Sequence, residues 1–375
     1  MAVLKHRIFN ADRFIDKFTE HEGVLAAHLA RWPTLVCPDP LTTELFKEYL
    51  KAPPANSDAF EDMVDGLYQA YDFCNKQGHE LLNEAIELNQ LQLPGLHDAS
   101  KEVLALRLQI EDPSTFALAC DMLFASQVDK FVTYKGSSAR QIQDVAPPLE
   151  LFRATLGEYF ATRKGSDKIV IKHFTDGTAH NFIVYHERRV TAELEIKQEG
   201  TTTTLTSRKY RPVRQDFIAY YGDTGRLEIE TPIEKERDLM RVAFATSFFN
   251  DEGFFSGTNS EVAINLEKLR EPGFAFSTDD GHYVTLKEIT FKLPQLHSPS
   301  FSIRSRDTFS TLSMNQMTHA VAGADIKSAV ISISFARGKR AKRVTLTQKN
   351  SLSFSRATHV TEVFAYLRRW QLLVD

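Results

Sequence analysis

The spacing of apolar residues changes along the chain and divides it into two parts. Up to residue 163, apolar residues recur every three or four positions, as at Phe14, Phe18 and Leu25, which is the period of an amphipathic helix. From residue 168 the period is two, which is typical of a strand with one buried face. The pattern therefore predicts an all-helical region over 1–163, followed by sheets.

Cap and turn residues agree with this division. Asp112 precedes Pro113, an order suited to a helix start because proline needs no hydrogen-bond partner in the first turn. Pro147 and Pro148 predict the start of the last helix in this region, and Gly165 predicts its end.

The first strands are predicted from turn residues and alternation. Asp176 and Gly177 tolerate positive φ and predict a tight hairpin between strands at 168–174 and 179–186. The next strand alternates cleanly, and its apolar side is predicted to face the core: Val190, Ala192, Leu194 and Ile196. A further turn at 223–225 completes an antiparallel meander, and a buried helix is predicted after Pro232.

The last third mixes both periods, with strands at 328–336 and 343–348 and a final helix at 359–371. Runs of helices followed by mainly antiparallel strands predict the α+β class. We expect an acidic helical domain over 1–163, a β meander plus helix over 164–258, and a basic α+β module over 259–375.

Charge is distributed unevenly. The chain has 45 Lys and Arg against 49 Asp and Glu, but residues 1–150 carry a net charge of −10 and the remainder +6. The second part is therefore expected to meet anions. The three widely spaced cysteines, with no Cys-x-x-Cys pair, predict a cytoplasmic setting without a disulfide framework. No apolar run reaches the length of a membrane span, so we expect no membrane association.

Common catalytic motifs are absent from the sequence. There is no phosphate-binding Walker loop, dinucleotide glycine motif, Gly-x-Ser-x-Gly elbow or His-Glu-x-x-His pair. His180 and His186 would lie on one strand face but roughly 20 Å apart, too far for a shared metal ion. We therefore expect no cofactor and no metal site.

The most pointed chemical feature is a cluster of five cations within residues 337–343, here called the basic turn, which lies between two predicted strands: Arg337, Lys339, Arg340, Lys342 and Arg343. Such a turn can lie along a phosphate backbone. Flanking contacts are expected from nearby cations: Lys349, Arg356, Arg368 and Arg369. The alternatives are a solvated turn, or one that docks on an acidic surface of this chain or of another protein.

Two further patterns have chemical interpretations. Cations at 208–214 lie near Tyr210, Tyr220 and Tyr221, a mixture that favours single-stranded nucleic acid but also occurs in plain strands. Glu195 and Lys197 on one strand, with Asp176 upstream, match half of a metal-dependent nuclease site. A solvated strand face would carry the same residues.

The segment 248–255, with the sequence FFNDEGFF, follows the Arg-bearing amphipathic helix predicted after Pro232, and the stretch from Arg237 to Phe255 includes both. We expect the segment's four phenylalanines to fold back into a core. With the strands, helix and basic hairpin after it, this part of the chain, residues 210–375, resembles uncharacterised bacterial proteins associated with phage-defence gene sets. The resemblance implies a subunit of an antiviral defence complex and assigns no catalytic residue.

These observations predict a non-enzymatic subunit that binds or senses DNA or RNA through the basic turn. One alternative is an interaction scaffold whose acidic helical half and basic C-terminal half dock separate protein partners, with self-association as a further form of it. The other is a divergent metal-dependent nuclease that uses Glu195 and Lys197 as catalytic residues.

Overall fold

The computed structural model describes residues 9–36, 40–52, 58–92, 95, 99–199, 202–257, 263–293, 299–314, 323–336, 341–348, 350–356 and 358–374. These residues form two compact units, divided between Phe124 and Ala125, which we call the helical unit and the sheet unit. The α+β class predicted from the sequence is confirmed. The sequence predicted a boundary at residue 163, and the observed division lies well before it.

The described residues of the helical unit form seven helices, the last of which ends just past the division: α1 (Ala11–Ile15), α2 (Glu22–Leu29), α3 (Thr43–Lys51), α4 (Asp58–Asp72), α5 (Lys76–Leu88), α6 (Lys101–Glu111) and α7 (Pro113–Gln127). Phe14, Phe18 and Leu25 are buried, as their spacing predicts. The predicted start of α7 is also confirmed, because the Asp112 carboxylate accepts hydrogen bonds from the backbone N–H groups of Ser114 and Thr115, both at 3.1 Å.

The sheet unit contains the strands and the remaining helices. The strands are β1 (Lys130–Lys135), β2 (Ile169–Asp176), β3 (Ala179–Glu187), β4 (Thr191–Glu199), β5 (Thr202–Tyr210), β6 (Val213–Tyr221), β7 (Arg226–Glu230), β8 (Ala263–Ile264), β9 (Tyr283–Lys292), β10 (Ser300–Arg304), β11 (Asp325–Ser334), β12 (Lys342–Thr347), β13 (Ser351–Ser353) and β14 (Leu373–Val374). The helices are α8 (Ala146–Lys164), α9 (Glu234–Phe249), α10 (Thr308–Met314) and α11 (Val360–Arg369). No helix in the described ranges has the length and apolarity needed to cross a bilayer.

Ten strands form one antiparallel sheet in the order β10-β9-β11-β12-β13-β1-β7-β6-β3-β2. The prediction of an all-helical region over 1–163 is wrong at β1, which lies inside this sheet between β7 and β13. Its six residues are too few to show a clear period. Because β1 joins strands from 164–258 to strands from 259–375, these two stretches are parts of one sheet and not separate modules.

Local signals located several other elements of this unit. The hairpin predicted at Asp176 and Gly177 joins β2 to β3, and Gly177 has a φ of 56°. α8 begins at its two prolines and ends at Gly165, whose φ of 70° is the left-handed cap that glycine favours. Helices α8 and α9 share one core cluster with the sheet, and Phe249, Phe254 and Phe255 are buried in it, as predicted.

Strands β4 and β5 pair with each other, and no other described strand pairs with them. We call this hairpin the ribbon. The predicted meander is therefore wrong at this point, because β3 pairs with β6 and the ribbon is inserted between them. The predicted core face is also wrong, since its apolar side chains are exposed: Val190, Leu194, Ile196 and, on β5, Leu205. Alternation reveals that the two faces of a strand differ, but whether either is covered depends on another element.

Candidate functional site

The strands predicted around the basic turn are β11 and β12, which pair from Ser328 with Thr347 to Ile333 with Lys342. Four of the nine cations predicted at and near this turn lie outside the described residues: Arg337, Lys339, Arg340 and Lys349. The structure thus describes the base of the hairpin but not its tip.

The two described cations of the basic turn both have partners. Lys342 Nζ donates to the carbonyl oxygens of Ser355, at 2.8 Å, and Thr358. Burial lowers the pKa of the Lys342 ammonium to about 8. Arg343 is exposed and lies 3.7 Å from the Glu288 carboxylate. Arg343 is therefore more accessible to a ligand than Lys342, which is half-buried.

Arg356 does not lie on the surface. Its NH1 is 2.6 Å from Glu228 and donates to the Tyr221 hydroxyl at 2.7 Å, and its guanidinium lies 3.6 Å from the centre of the Phe131 ring. The prediction that Arg356 contacts nucleic acid is therefore at odds with its burial, which a count of cations in the sequence cannot reveal.

The other two flanking cations lie at the end of α11. Arg368 is half-buried, and Arg369 is exposed and pairs with Asp279 at 2.8 Å. Both positions remain accessible in part, although Arg369 would have to share its guanidinium with Asp279.

The residues of the nuclease hypothesis are not brought together. Glu195 and Lys197 lie on the ribbon, which extends the chain beyond the C-terminal end of β3. Asp176 pairs with Ala179 at the other end of β3. A two-carboxylate metal site needs both carboxylates beside one ion, and Asp176 and Glu195 do not meet this condition because they lie at opposite ends of β3.

The cations at 208–214 are also dispersed. Arg214 and Tyr220 are buried, at opposite ends of β6. Arg211 donates to the carbonyl oxygens of Lys164 and Arg188. Only Arg208 and Lys209, on the ribbon, remain exposed.

A concave site of about 510 Å³ lies at the base of the ribbon, and we call it the basic pocket. Its walls come from the last turns of α8, the β3–β4 connection, the residue before β6 and the start of α9. The lining residues are Tyr159, Arg163, Lys164, Arg188, Arg189, Thr191, Pro212, Ile233, Lys235 and Glu236. The lining thus contains five cations and one carboxylate.

Three of these cations have no ion-pair partner among the described residues: Arg163, Arg188 and Lys235. The Lys164 ammonium lies 2.7 Å from Glu236, and burial lowers its pKa although that partner opposes the shift. Arg189 donates through NH2 to the Arg163 carbonyl oxygen at 3.2 Å and so satisfies the end of α8. The pocket therefore retains an excess of positive charge.

A buried ion network lies behind the pocket wall that Lys164 and Glu236 form. Nε2 of His186 lies 2.9 Å from the Asp216 carboxylate, whose other oxygen lies 2.7 Å from Arg214. Arg214 NH1 is 3.7 Å from Glu236, which also pairs with Lys164. These contacts join α8, α9, β3 and β6 and hold the pocket walls in place.

The same network contains three groups of the metal-ligand type, His186, Asp216 and Glu236, whose ligand atoms lie within 4.8 Å of one another. Both carboxylates already have cationic partners in Arg214 and Lys164. A divalent ion at this point would stand beside two positive charges. The arrangement fits an ion network better than a metal centre.

The pocket and the described base of the basic turn lie at the same end of the sheet. Neighbouring strands in this sheet run in opposite directions, so the start of one strand lies beside the end of the next. One edge of the sheet therefore contains the start of β12, the end of β13, the start of β1, the end of β7, the start of β6 and the end of β3. Lys342 and Arg343, the described cations of the basic turn, begin β12, and Arg188 follows the end of β3. We call this edge the basic end of the sheet. It also carries exposed residues of both signs, namely Asp129, Asp167, Glu234, Lys130 and Lys168.

Neither protein-family models nor curated proteins match this chain. The pocket could not be recognised in the sequence because its cations come from separate segments. The adjacent pairs Arg163–Lys164, after a predicted helix, and Arg188–Arg189, after a predicted strand, were the available signals.

Proposed function

We propose that this protein is a non-enzymatic nucleic-acid-binding subunit that contacts phosphates with the basic end of its sheet. The observation that carries the proposal is the strand order, which brings the basic pocket and the base of the basic turn to one end. Cations of this kind position a nucleic acid without reading its sequence.

The separation of the two basic sites suits a nucleic-acid backbone. β12 and β3 are five strand spacings apart in the sheet order. At about 4.8 Å per spacing the two sites are roughly 24 Å apart, which corresponds to about seven base pairs of duplex. One duplex is therefore long enough to touch both sites.

Removing two pocket cations is expected to weaken binding and to reduce its dependence on salt. Arg188 and Lys235 are suitable because neither has an ion-pair partner among the described residues. If the two together contact one phosphate of a duplex, the slope of log affinity against log salt should become shallower by about 0.9 in the double alanine variant. Fluorescence anisotropy of labelled duplex and single-stranded oligonucleotides at several salt concentrations measures this slope.

The matched control removes two exposed lysines from the opposite end of the sheet, Lys292 and Lys327. Its slope should equal that of the wild type. A second variant that neutralises the five cations of the basic turn tests the other site separately. Absence of binding by the wild type at low salt, or equal slopes in all variants, would refute the proposal.

The biological setting is proposed from the sequence. The resemblance of residues 210–375 to proteins of phage-defence gene sets supports a cytoplasmic role in a bacterial antiviral complex. The relevant ligand would then be foreign DNA or RNA, and the remaining subunits would supply any catalysis.

An interaction scaffold is the second candidate, and the exposed apolar face of the ribbon favours it. We propose a second copy of this chain as the occupant. If two β4 strands pair antiparallel about Ile196, Glu195 of one copy stands opposite Lys197 of the other, so the charges complement each other. Such pairing would also continue the apolar face across both copies.

Replacing Leu194 and Ile196 with serine is expected to abolish this dimer. The two side chains are 73% and 72% exposed, so the change should alter the stability of the monomer by no more than about 0.5 kcal/mol. Size-exclusion chromatography with light scattering gives the mass of each species. A monomeric wild type at all concentrations would exclude the scaffold formed by self-association.

A further inference from the structure

We infer that the basic pocket binds the phosphomonoester of a nucleotide, either free or at the 5′ end of a strand. The inference deepens the proposed function and rests on it for the strand-end case, but not for the free nucleotide. A phosphomonoester differs from an internal phosphodiester in carrying a second negative charge near neutral pH. It also ends the chain, so a concave site can receive it.

The arrangement of the cations favours a terminal group over a passing backbone. Arg163 comes from α8, Arg188 from the β3–β4 connection and Lys235 from α9, so three separate elements direct charge to one concavity. Cations that follow a backbone would instead be spaced along a line. The volume of about 510 Å³ lies within the usual range of small-molecule sites.

The charge of the pocket suits a dianion. Lys164 is balanced by Glu236 at 2.7 Å, which leaves the guanidinium groups of Arg163 and Arg188 and the ammonium of Lys235 without ion-pair partners in the described part of the chain. Guanidinium groups bind phosphate oxygens through two parallel N–H donors. A doubly charged phosphate would therefore be held better than a single diester charge.

The remaining wall is suited to the rest of a nucleotide. Tyr159, Pro212 and Ile233 line the pocket beside the cations. Tyr159 is half-buried and packs against Phe160 at 5.6 Å between ring centres, which restrains its ring. A tyrosine ring can stack on any base, so this wall adds affinity without base specificity.

The pocket is held in shape before a ligand arrives. The buried network fixes Lys164 and Glu236, and Arg189 and Arg211 donate to the carbonyl oxygens of Arg163 and Lys164 at the end of α8. Because these walls need little reorganisation, more of the interaction energy contributes to affinity.

The test compares 5′-phosphorylated and 5′-hydroxyl single-stranded oligonucleotides of the same sequence at fixed salt, together with AMP and inorganic phosphate. We expect the 5′-phosphorylated strand to bind about tenfold more tightly than the 5′-hydroxyl strand. This difference should vanish in the Arg188→Ala/Lys235→Ala variant and persist in the Lys292→Ala/Lys327→Ala control. The Tyr159→Ala variant should weaken AMP binding but leave phosphate binding unchanged.

The outcomes separate this inference from the proposed function. Equal binding of both oligonucleotides, without binding of AMP, would overturn the inference while leaving backbone binding intact. Binding of AMP that is lost in the Arg188→Ala/Lys235→Ala variant, with no binding of either strand, would support a free nucleotide and refute the proposed function. Equal affinities for AMP and inorganic phosphate would overturn the nucleotide assignment. Unchanged thermal unfolding of each variant establishes that the pocket variants are folded.

Discussion

The Glu228→Ala variant is expected to lose about 3–5 kcal/mol in the free energy of unfolding of the sheet unit. Glu228 is 1% exposed and is the counter-charge of two buried guanidinium groups, Arg356 at 2.6 Å and Arg226 at 3.5 Å. Removing the carboxylate leaves both cations buried without compensation, which costs far more than the pairs contribute when intact. Urea unfolding followed by tryptophan fluorescence measures the loss.

The chain permits a clean reporter and a matched control for this measurement. It has two tryptophans, Trp32 in the helical unit and Trp370 in the sheet unit, so a Trp32→Phe background reports on the sheet unit alone. The control is Glu288→Ala, because Glu288 also pairs with two arginines, but those side chains are 72% and 65% exposed. Its loss should stay within about 1 kcal/mol.

A further variant tests whether the shared carboxylate matters more than one of its two cationic partners. Arg356→Met leaves Glu228 with Arg226 as its partner, so its loss should be smaller than that of Glu228→Ala. Equal losses for Glu228→Ala and Glu288→Ala would contradict the prediction, because burial would then have no bearing on the cost. The folded Arg356→Met variant should also bind nucleic acid as the wild type does.

Glu230 is expected to make the sheet unit less stable as the pH rises from about 4.5 to 7. Burial raises the pKa of this carboxyl to about 7, the negative charge of Asp216 adds to the shift, and Arg214 opposes it. Asp129 and Lys130, of opposite charge, also face it. Folded Glu230 therefore keeps its proton in a pH range where the unfolded chain has released it, and stability falls with rising pH.

Replacing Glu230 with glutamine should remove this dependence. The shift corresponds to a stability difference on the order of 3 kcal/mol, fully present below pH 4.5 and lost above pH 7. The Glu230→Gln variant should therefore gain on the wild type by about that amount as the pH rises through this range. Urea unfolding at several pH values, again in the Trp32→Phe background, gives the difference between the two curves.

The control for Glu230 is Glu234→Gln, which removes the same charge from an exposed position in the first turn of α9. It should change stability by no more than about 0.5 kcal/mol. Parallel curves for the wild type and Glu230→Gln across the whole pH range would show that Glu230 does not hold its proton, and would remove the prediction.

The candidate site was partly accessible to sequence reasoning. The basic turn could be found because its cations are neighbours in the sequence. The basic pocket could not, because its lining runs from Tyr159 to Glu236 and is assembled from helix ends and strand connections. Arg356 and Arg214 illustrate the opposite error, since both counted as surface cations in the sequence and both are buried in ion pairs.

The amino-acid sequence by itself determined the α+β class, the hairpin at Asp176 and Gly177, the limits of α8 and the start of α9. Periodicity, caps and turn residues are local properties, so neighbouring residues suffice to specify them. The tertiary structure alone decided the position of β1 in the sheet, the exposure of the ribbon and the meeting of two basic sites at one end. Strand pairing and burial depend on contacts between residues far apart in the chain, and a local pattern contains no record of which distant segment will make them.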